Sequence, residues 1–498
     1  MVLGCVLALV RLTCADVDQK IDHVVVLMME NRAFDHMLGS LALTNSEVDG
    51  CTPEREECWN PEDPLVVDSP RHQVNWDAVY EQVSPGHSIH STTEQIYGQY
   101  VEDNTIPEAP NDQPAMKGFI KDYVSKNGGD LAYGNRIMEQ LSAEHVPVIT
   151  TLANEFAVFD GWFAAVPGPT MVNRAYAMSA TSDGMGTNNV TTIIRGMPQS
   201  TIFKQMLDMG LDYKVYFSDG PTAAMFKDVR RESPKDRLRG LRHFYTDAAS
   251  GDLPELTWLE PAYFDRENHA ATDQHPDHDV SAGEDLIRDV YNALRASPVW
   301  ERTAFIITYD EHGGFYDHVS PPENVPNPDG KSSTDDPFKF DRLGVRIPTV
   351  IVSPWVAKGT VHHAAAEGEG QYEHSSLVST IVHKLFKPKE GMPEPTYLTK
   401  RDAWAATFED VFSLNEPRQD TPADLTPVVS HRALFPHTLP PLDGRSMPLS
   451  DLQLEILSIC AGFGGHALGK DTFDGWTEEQ SSDFCMKNMG IQLSDVHA

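Results

Sequence analysis

The 498-residue sequence is poor in basic side chains, with 39 Lys and Arg against 74 Asp and Glu and a formal net charge of −35. A strongly acidic protein repels polyanions, so nucleic acid and strongly anionic membranes are poor partners. After the N-terminal segment, the sequence lacks any apolar run long enough to cross a bilayer, which predicts a soluble chain with no transmembrane segment. Internal repeats are also missing. With 40% hydrophobic residues, the chain can bury a sizeable core.

The N-terminal segment predicts a signal peptide. Residues 1–10 form a short apolar run, and Thr13 and Ala15 supply small side chains at the spacing expected before a cleavage point. The run has no basic residue before it and is followed by Arg11, which weakens the pattern. We predict cleavage after Ala15 and a secreted or secretory-lumen protein, with a cytosolic or peripheral membrane location as the alternative.

Cysteine is scarce, with six in the chain. Cleavage after Ala15 would remove Cys5 and Cys14, and the remaining four fall into two local pairs. These pairs are Cys51 with Cys58, and Cys460 with Cys485. An even, paired set favours disulfides in an oxidising compartment, whereas four unrelated thiols in a reducing cell are the alternative.

Several apolar runs are too short for helices and predict buried strands. They are residues 24–29, 156–159, 214–217, 256–259, 304–309 and 349–352. Helical periodicity lies between them. One helix is predicted to start at Ser281, because Ser281 and Glu284 have the spacing of a capping box. Another follows Ser200 and is predicted to stop at Gly210.

Alternating strands and helices predict an α/β fold with a mainly parallel central sheet flanked by helices. In such sheets, ligands bind at the carboxyl ends of the strands. Residues 43–114 and 320–341 are rich in Pro, Asp, Asn and Ser, and are predicted to be long loops over that end. We expect a main domain over 16–412. Residues 413–498 are expected to be a Pro-rich linker and a small accessory segment with one or two helices after residue 449.

Two predicted strands end in charged or amide side chains. Glu30 and Asn31 follow the first strand, and Asp310 and Glu311 follow the strand that ends at residue 309. Buried charges are costly unless they are paired, and adjacent carboxylates repel one another unless a cation neutralises them. Oxygen ligands of this kind suit a hard divalent ion. A helix start with an acidic first turn is the simpler alternative for Glu30 and Asn31.

Thr170 is a candidate nucleophile. It lies in residues 166–174, Val-Pro-Gly-Pro-Thr-Met-Val-Asn-Arg, between the strand 156–159 and a helix predicted over 175–180. Pro and Gly predict a tight turn, and the helix start offers backbone N–H groups and a positive dipole end to an anion. This geometry would present the Thr170 hydroxyl to a phosphate. An ordinary N-cap threonine, worth about 1 kcal/mol to the helix, is the alternative.

Three histidines are further candidates. His275 lies in residues 273–279, just before the helix predicted from Ser281, and His374 precedes a helix predicted over 377–385. His87 lies in a loop before residues 94–98. Single histidines are usually surface or core residues, but His275 and His374 share a position at helix starts.

Four segments together resemble the signature blocks of the phosphoesterase family that contains bacterial phospholipases C, bacterial acid phosphatases and plant non-specific phospholipases C. They are 30–36 (ENRAFDH), 166–174 (VPGPTMVNR), 306–318 (IITYDEHGGFYDH) and 373–376 (EHSS), and the resemblance covers roughly residues 20–410. Further segments resemble the plant branch, namely 273–279, 344–348, 353–355 and 398–409. Ala33, Met171 and Val172 depart from the family's usual residues, and the C-terminal tail does not match.

The resemblance implies an alkaline-phosphatase-like sandwich, with a phosphoesterase catalytic domain over 16–412. It also implies one divalent metal ion, held by Glu30, Asn31, Thr170, Asp310 and Glu311. Mixed carboxylate, amide and hydroxyl oxygens favour Mg, Ca or Mn over Zn. Thr170 would attack phosphorus and form a phospho-threonine intermediate.

The resemblance places Asn31, His87, His275 and His374 around the phosphate, where they would donate to its non-bridging oxygens. One of them, with His275 as the first choice, would protonate the leaving alkoxide. The implied activity is hydrolysis of glycerophospholipids such as phosphatidylcholine to diacylglycerol and phosphocholine. Because the chain is so acidic, zwitterionic membrane surfaces are expected to be preferred.

Of three alternatives, the first is the nearest in chemistry, and the other two belong to different functional classes. An acid phosphatase would use the same threonine and metal on small soluble monoesters, and the loops 43–114 and 320–341 would decide between the two activities. A catalytically silent lipid- or phosphate-binding protein is disfavoured, because every expected metal and nucleophile position is chemically intact. A dinucleotide-binding oxidoreductase is disfavoured too, because no G-x-G-x-x-G opens a helix after the first strand.

Overall fold

A computed structural model of the protein describes residues 20–496. Short gaps fall at 79, 81–83, 101, 103, 108–114, 130, 233–235, 268, 336, 366–369, 435–447, 467 and 469. The predicted signal peptide, residues 1–15, lies outside the described residues. Within these bounds, no helix combines the length and the apolar character needed to span a membrane.

The described residues form twelve strands, and eight of them make up a sheet at the centre of the molecule. The strands are β1 (His23–Met29), β2 (Trp59–Pro61), β3 (Arg71–Gln73), β4 (Ala157–Phe159), β5 (Trp162–Phe163), β6 (Tyr213–Phe217), β7 (Leu238–Gly240), β8 (Leu256–Glu260), β9 (Thr303–Tyr309), β10 (Thr349–Val352), β11 (Thr360–His362) and β12 (Tyr372–Glu373). The order in the main sheet is β11-β4-β10-β9-β1-β8-β6-β7. Within the described part of the main sheet, β10 alone runs antiparallel to its neighbours.

The sheet confirms the predicted α/β class, and every apolar run predicted as a strand forms one. The central strands β1, β8 and β9 are buried almost throughout. Strands buried on both faces read as continuous apolar runs, which is why periodicity found them.

Helices flank the sheet. They are α1 (Phe34–Leu38), α2 (Ile89–Tyr97), α3 (Phe119–Lys126), α4 (Leu131–Gly134), α5 (Pro147–Glu155), α6 (Thr170–Ser179), α7 (Val190–Arg195), α8 (Ile202–Asp208), α9 (Lys227–Glu232), α10 (Arg242–Ser250), α11 (Val280–Ala296), α12 (Ser375–Thr380), α13 (His431–Leu434), α14 (Asp451–Phe463) and α15 (Glu478–Met489). A π-helical turn, Ile381–Leu385, continues α12.

The predicted capping box of α11 is wrong. The N-cap is Asp279, whose carboxylate accepts the Ser281 N–H at 3.0 Å. Glu284 instead accepts the N–H groups of Val148 and Ile149, at 2.6 and 3.2 Å, at the start of α5. A distant helix terminus with unsatisfied N–H groups therefore takes the carboxylate that local spacing assigned to α11.

Three other boundaries differ from the sequence predictions. Helix α6 starts at Thr170 rather than at residue 175, and α12 starts two residues earlier than predicted. The stretch 43–114 is not loop throughout, since it contains β2, β3 and α2. The predicted stop of α8 is confirmed, because the chain leaves the helix at Gly210 with a φ of 74°.

Both predicted cysteine pairs are confirmed as disulfides, Cys51–Cys58 and Cys460–Cys485. The second one joins α14 to α15, the two helices expected after residue 449. Ile456, Leu457 and Cys460 of α14 are buried in the same hydrophobic core as the central sheet. The C-terminal helices therefore pack directly on the main body.

Candidate active site

Three acidic side chains meet where three neighbouring strands end. Glu30 follows β1, Glu260 is the last residue of β8, and Asp310 follows β9. Because β8 and β9 flank β1 in parallel, their carboxyl ends lie at one edge of the sheet. All three carboxylates are fully buried, so their charges require fixed partners.

Arg174 is the partner common to all three carboxylates. Its guanidinium donates to Glu30 Oε2 at 2.6 Å, to Asp310 Oδ2 at 3.0 Å and to Glu260 Oε2 at 3.3 Å. Tyr263 adds a hydroxyl bond of 2.6 Å to Glu260. One fully buried cation thus binds the ends of three strands through charge-assisted hydrogen bonds.

Thr170 stands one helical turn before Arg174 and on the same face of α6. Pro169 in extended conformation precedes it, and Thr170 is the first residue of the helix rather than its N-cap. Its Oγ1 donates to Glu30 Oε1 at 2.8 Å. The alternative of an ordinary N-cap threonine is therefore excluded by the geometry, and the hydroxyl is left facing the acidic cluster.

The backbone turns sharply at the two acidic motifs. Asn31 has a φ of 56°, and its N–H donates to Asp310 Oδ1 at 3.1 Å. Gly313 has a φ of 66°, and a Cβ there would lie 2.2 Å from the Asn31 carbonyl oxygen. Glycine is thus required at position 313, two residues after Glu311, because a side chain there would collide with the Asn31 backbone. The Gly313 N–H donates to Glu311 Oε2 at 2.8 Å.

Glu30, Asp310 and Glu311 could together hold a metal ion, because their ligand oxygens all lie within 4.8 Å of one another. Burial and the neighbouring Asp310 carboxylate raise the pKa of Glu30 well above its usual range. Burial likewise raises the pKa of Glu311 to about 7. Crowded buried carboxylates of this kind fit a hard divalent cation, which would neutralise them. Thr170 and Asn31 lie beside this cluster.

His275 faces the same cluster from residues 273–279. Its Nδ1 contacts Asp277 Oδ1 in a short hydrogen bond. With the Asn31 amide oxygen turned toward it, His275 Nε2 donates to that oxygen at 3.2 Å. The Asn31 amide nitrogen then donates to Glu30 at 3.0 Å and to Glu311. A histidine oriented by a carboxylate at one nitrogen presents the other to the site.

His87 and His374 take different positions. His87 lines the pocket, and its Nδ1 lies 3.0 Å from the Pro85 carbonyl oxygen. His374 is fully buried behind Asp310, and its Nε2 lies 2.5 Å from the Asp310 carbonyl oxygen. Burial lowers the pKa of His374 to about 4, so the ring is neutral.

A pocket of about 660 Å³ opens above Thr170, His87 and His275. The start of α14 forms one wall through Ser450, Asp451, Leu452 and Glu455. Asn188 links this wall to α6, the helix that begins at Thr170. It accepts the Met171 N–H at 3.0 Å and donates to Glu455 Oε2 at 2.7 Å. Helix α14 therefore contributes directly to the site.

A family model described as the Phosphoesterase family matches residues 21–387. The chain belongs to this family. It is 41% identical over 455 residues to non-specific phospholipase C1 of Arabidopsis thaliana, covering 89% of this chain and 80% of that protein. Identity to phospholipase C B of Mycobacterium tuberculosis is 27%, covering 80% of this chain and 78% of that protein. Among solved structures, this chain is similar to an alkaline phosphatase superfamily protein from Vibrio parahaemolyticus. The match covers 48% of this chain and 60% of that protein, at 12% identity and with a TM-score of 0.29.

The structure of this phosphoesterase family member shows partners that the sequence did not single out. Arg174 is the last residue of the segment 166–174, yet its role depends on three carboxylates that are distant in the sequence. Glu260 could have been found, because it directly follows a buried apolar run, as Glu30 and Asp310 do. Asp277 lies within residues 273–279, which the family resemblance singles out, whereas Glu455 carries no comparable signal, because acidic residues near helix starts are common on surfaces.

Proposed function

We propose that this protein hydrolyses glycerophospholipids as a phospholipase C, releasing diacylglycerol and a phosphorylated head group. The observation that carries the proposal is the Thr170 hydroxyl at the first turn of α6, hydrogen-bonded to Glu30 at the base of an open pocket. A helix start favours an anion, which suits a phosphodiester held against this hydroxyl. Relatives named non-specific phospholipase C, matched over most of both chains, support the same substrate class.

In the first step, Thr170 Oγ1 bonds to phosphorus and the bond to the diacylglycerol oxygen breaks. The Thr170 proton passes to Glu30 Oε1, the acceptor already in place at 2.8 Å. A divalent ion held by Glu30, Asp310 and Glu311, with Asn31 and Thr170 completing the set, would lower the pKa of the hydroxyl. Arg174 fixes the two carboxylates Glu30 and Asp310, so the acceptor cannot turn away.

His275 gives its Nε2 proton to the departing alkoxide, while Asp277 holds the ring through Nδ1. His87 donates to the non-bridging oxygens of the phosphate, and the Asn31 amide joins it when its bonds to Glu30 and Glu311 are released. His374 does not touch the phosphate; its Nε2 holds the main-chain carbonyl oxygen of Asp310 in place. In the second step, water attacks phosphorus and gives a proton to His275 Nε2, the bond to Thr170 Oγ1 breaks, and Glu30 returns the proton to Thr170 as phosphocholine leaves.

A zwitterionic lipid surface is the proposed physiological interface. The net charge of −35 repels anionic lipids. Three acidic residues line the pocket, namely Asp277, Asp451 and Glu455. Among the described lining residues, Lys126 is the one lysine or arginine. A negatively charged pocket wall favours a head group that carries an ammonium group beside its phosphate.

Product analysis on phosphatidylcholine vesicles tests the function. We expect diacylglycerol and phosphocholine, with activity that falls as phosphatidylserine is mixed in and partly recovers when salt screens the repulsion. Phosphatidic acid and free choline would contradict the proposal. Activity on para-nitrophenyl phosphate alone would identify an acid phosphatase with the same nucleophile.

We also propose that the protein is exported. The two disulfides suit an oxidising compartment, and they support the signal peptide predicted over residues 1–15. N-terminal sequencing of the protein recovered from a secreting host should begin at Asp16. A mature chain that retains residues 1–15 would contradict export by this route.

A further inference from the structure

His278 is a buried histidine that the proposed chemistry does not use. It lies three residues after His275, and its side chain is 2% exposed. Its Nδ1 bonds to Asp273 Oδ1 at 2.6 Å, and its Nε2 lies 3.9 Å from Asp277 and 3.8 Å from Glu478. Burial opposes its charge, yet the three carboxylates raise the pKa of His278 well above its usual range.

Two carboxylates connect His278 to the active site. Asp277 lies between His278 and His275, and it orients the His275 ring through Nδ1. Asp273 accepts the His275 N–H at 3.2 Å, and its carbonyl accepts the Glu30 N–H at 3.0 Å. The cation at His278 therefore balances the two carboxylates that fix His275 relative to the end of β1.

Glu478, at the start of α15, supplies the third carboxylate from the C-terminal helices. Gln453 of α14, buried at 1% exposure, donates to Glu478 Oε2 at 2.8 Å and to the Tyr263 carbonyl at 2.9 Å. The same Glu478 oxygen accepts the Asp265 N–H at 2.5 Å. Bonds from Gln453 and from the Asp265 backbone thus fix the Glu478 carboxylate beside His278.

We propose that His278 and Glu478 are positioning residues: the Glu478 carboxylate holds the His278 side chain, which holds Asp277 so that His275 Nε2 points at the leaving oxygen. This inference rests on the proposed function, in which His275 protonates the diacylglycerol alkoxide. A buried ion pair missing one partner leaves an uncompensated charge, and the neighbouring groups then rearrange. The C-terminal helices thereby support the acid catalyst from outside the pocket.

The test compares two soluble diesters that differ in leaving group. Dibutyryl phosphatidylcholine expels an alkoxide that needs a proton, whereas para-nitrophenyl phosphorylcholine expels a phenolate that does not. Glu478→Gln should lower kcat for the first about tenfold and for the second less than about twofold, because a displaced acid affects only the step it assists. Glu479→Gln is the matched control, since Glu479 is the next residue and 51% exposed. It should change neither kcat.

Three further variants make the result decisive. His275→Asn should show the same selective loss, and Glu478→Asp should restore most of the activity by returning the charge. If Glu478→Gln fails to fold, Gln453→Leu takes its place, because it removes the 2.8 Å bond to Glu478. The loss of kcat on the two diesters is then compared in the same way.

Equal loss on both substrates in Glu478→Gln, or no loss on either, overturns the positioning role. The same equal loss in His275→Asn would instead show that another group is the acid. A wild-type enzyme that releases phosphocholine from neither diester would overturn the proposed function itself.

Discussion

Thr170 Oγ1 donates to Glu30 Oε1 over 2.8 Å, although 140 positions separate the two residues in the chain. The second Glu30 oxygen is held by Arg174, four residues after Thr170 on the same helix. One helix thus supplies both the Thr170 hydroxyl and the cation that fixes the hydrogen-bond acceptor of that hydroxyl. Mutation of Thr170 and mutation of Arg174 can therefore separate the roles of these two residues.

Removal of the Thr170 hydroxyl should abolish turnover without unfolding the protein. We expect Thr170→Ala to lose at least about a thousandfold in kcat, as with other nucleophile deletions. Thr170→Ser, which keeps an attacking oxygen, is the control and should retain measurable turnover. Mass spectrometry of enzyme acid-quenched during turnover of phosphatidylcholine should find phosphocholine on residue 170 in the wild type and in Thr170→Ser, but not in Thr170→Ala. Turnover of Thr170→Ala near the wild-type level would contradict the assignment.

The acidic cluster should bind metal in a pH-dependent manner. Asp310→Asn and Glu311→Gln each remove a formal charge and should lower metal content, whereas Glu416→Gln on the surface should not. Because the pKa of Glu311 is raised to about 7, metal binding must displace a proton below that pH. Calorimetric titration with Mg²⁺ or Mn²⁺ should therefore show affinity rising from pH 6 to pH 8. Full occupancy in both variants would make these carboxylates structural.

Arg174 should be essential for stability as well as for activity. Arg174→Gln leaves three buried carboxylates without their common cation and should lower the free energy of unfolding by about 3–5 kcal/mol. Arg195→Gln at the surface should stay within about 0.5 kcal/mol of the wild type. Urea unfolding measures both. A loss below about 1 kcal/mol for Arg174→Gln would mean that the carboxylates are neutral in the folded protein.

His318 should stabilise the fold in a pH-dependent way. Its Nδ1 bonds to Asp35 at 2.6 Å and its Nε2 to Asp49 at 3.2 Å. Although burial opposes it, Asp35 raises the pKa of His318 to about 9. The stabilisation is complete below the unfolded pKa of about 6.5 and is lost as pH rises through about 9.

The deficit of His318→Asn relative to the wild type should therefore be largest near pH 6, at up to about 3 kcal/mol, and shrink by pH 10. Urea unfolding at the two pH values gives the difference. His363→Asn is the comparison, because His363 also pairs with a buried aspartate, Asp160, but is 56% exposed. A deficit for His318→Asn that does not change with pH would contradict the ion pair.

The sequence alone determined the features that depend on near neighbours. Buried strands are continuous apolar runs, so Glu30 and Asp310 could be placed at strand ends before any fold was known. Thr170 could be placed at a helix start, because Pro and Gly fix the preceding turn. The disulfides followed from pairs of cysteines close together in the chain.

Only the tertiary structure decided which distant groups meet. The neighbours of β1 are β8 and β9, and this order brings Glu260 to Arg174 and makes one cation serve three strand ends. Local spacing assigned Glu284 to its own helix, whereas the unsatisfied N–H groups at the start of α5 bind it more strongly in the folded chain. The position of Glu478 behind His278 has the same origin, because a buried charge takes its partner from whichever element packs against it.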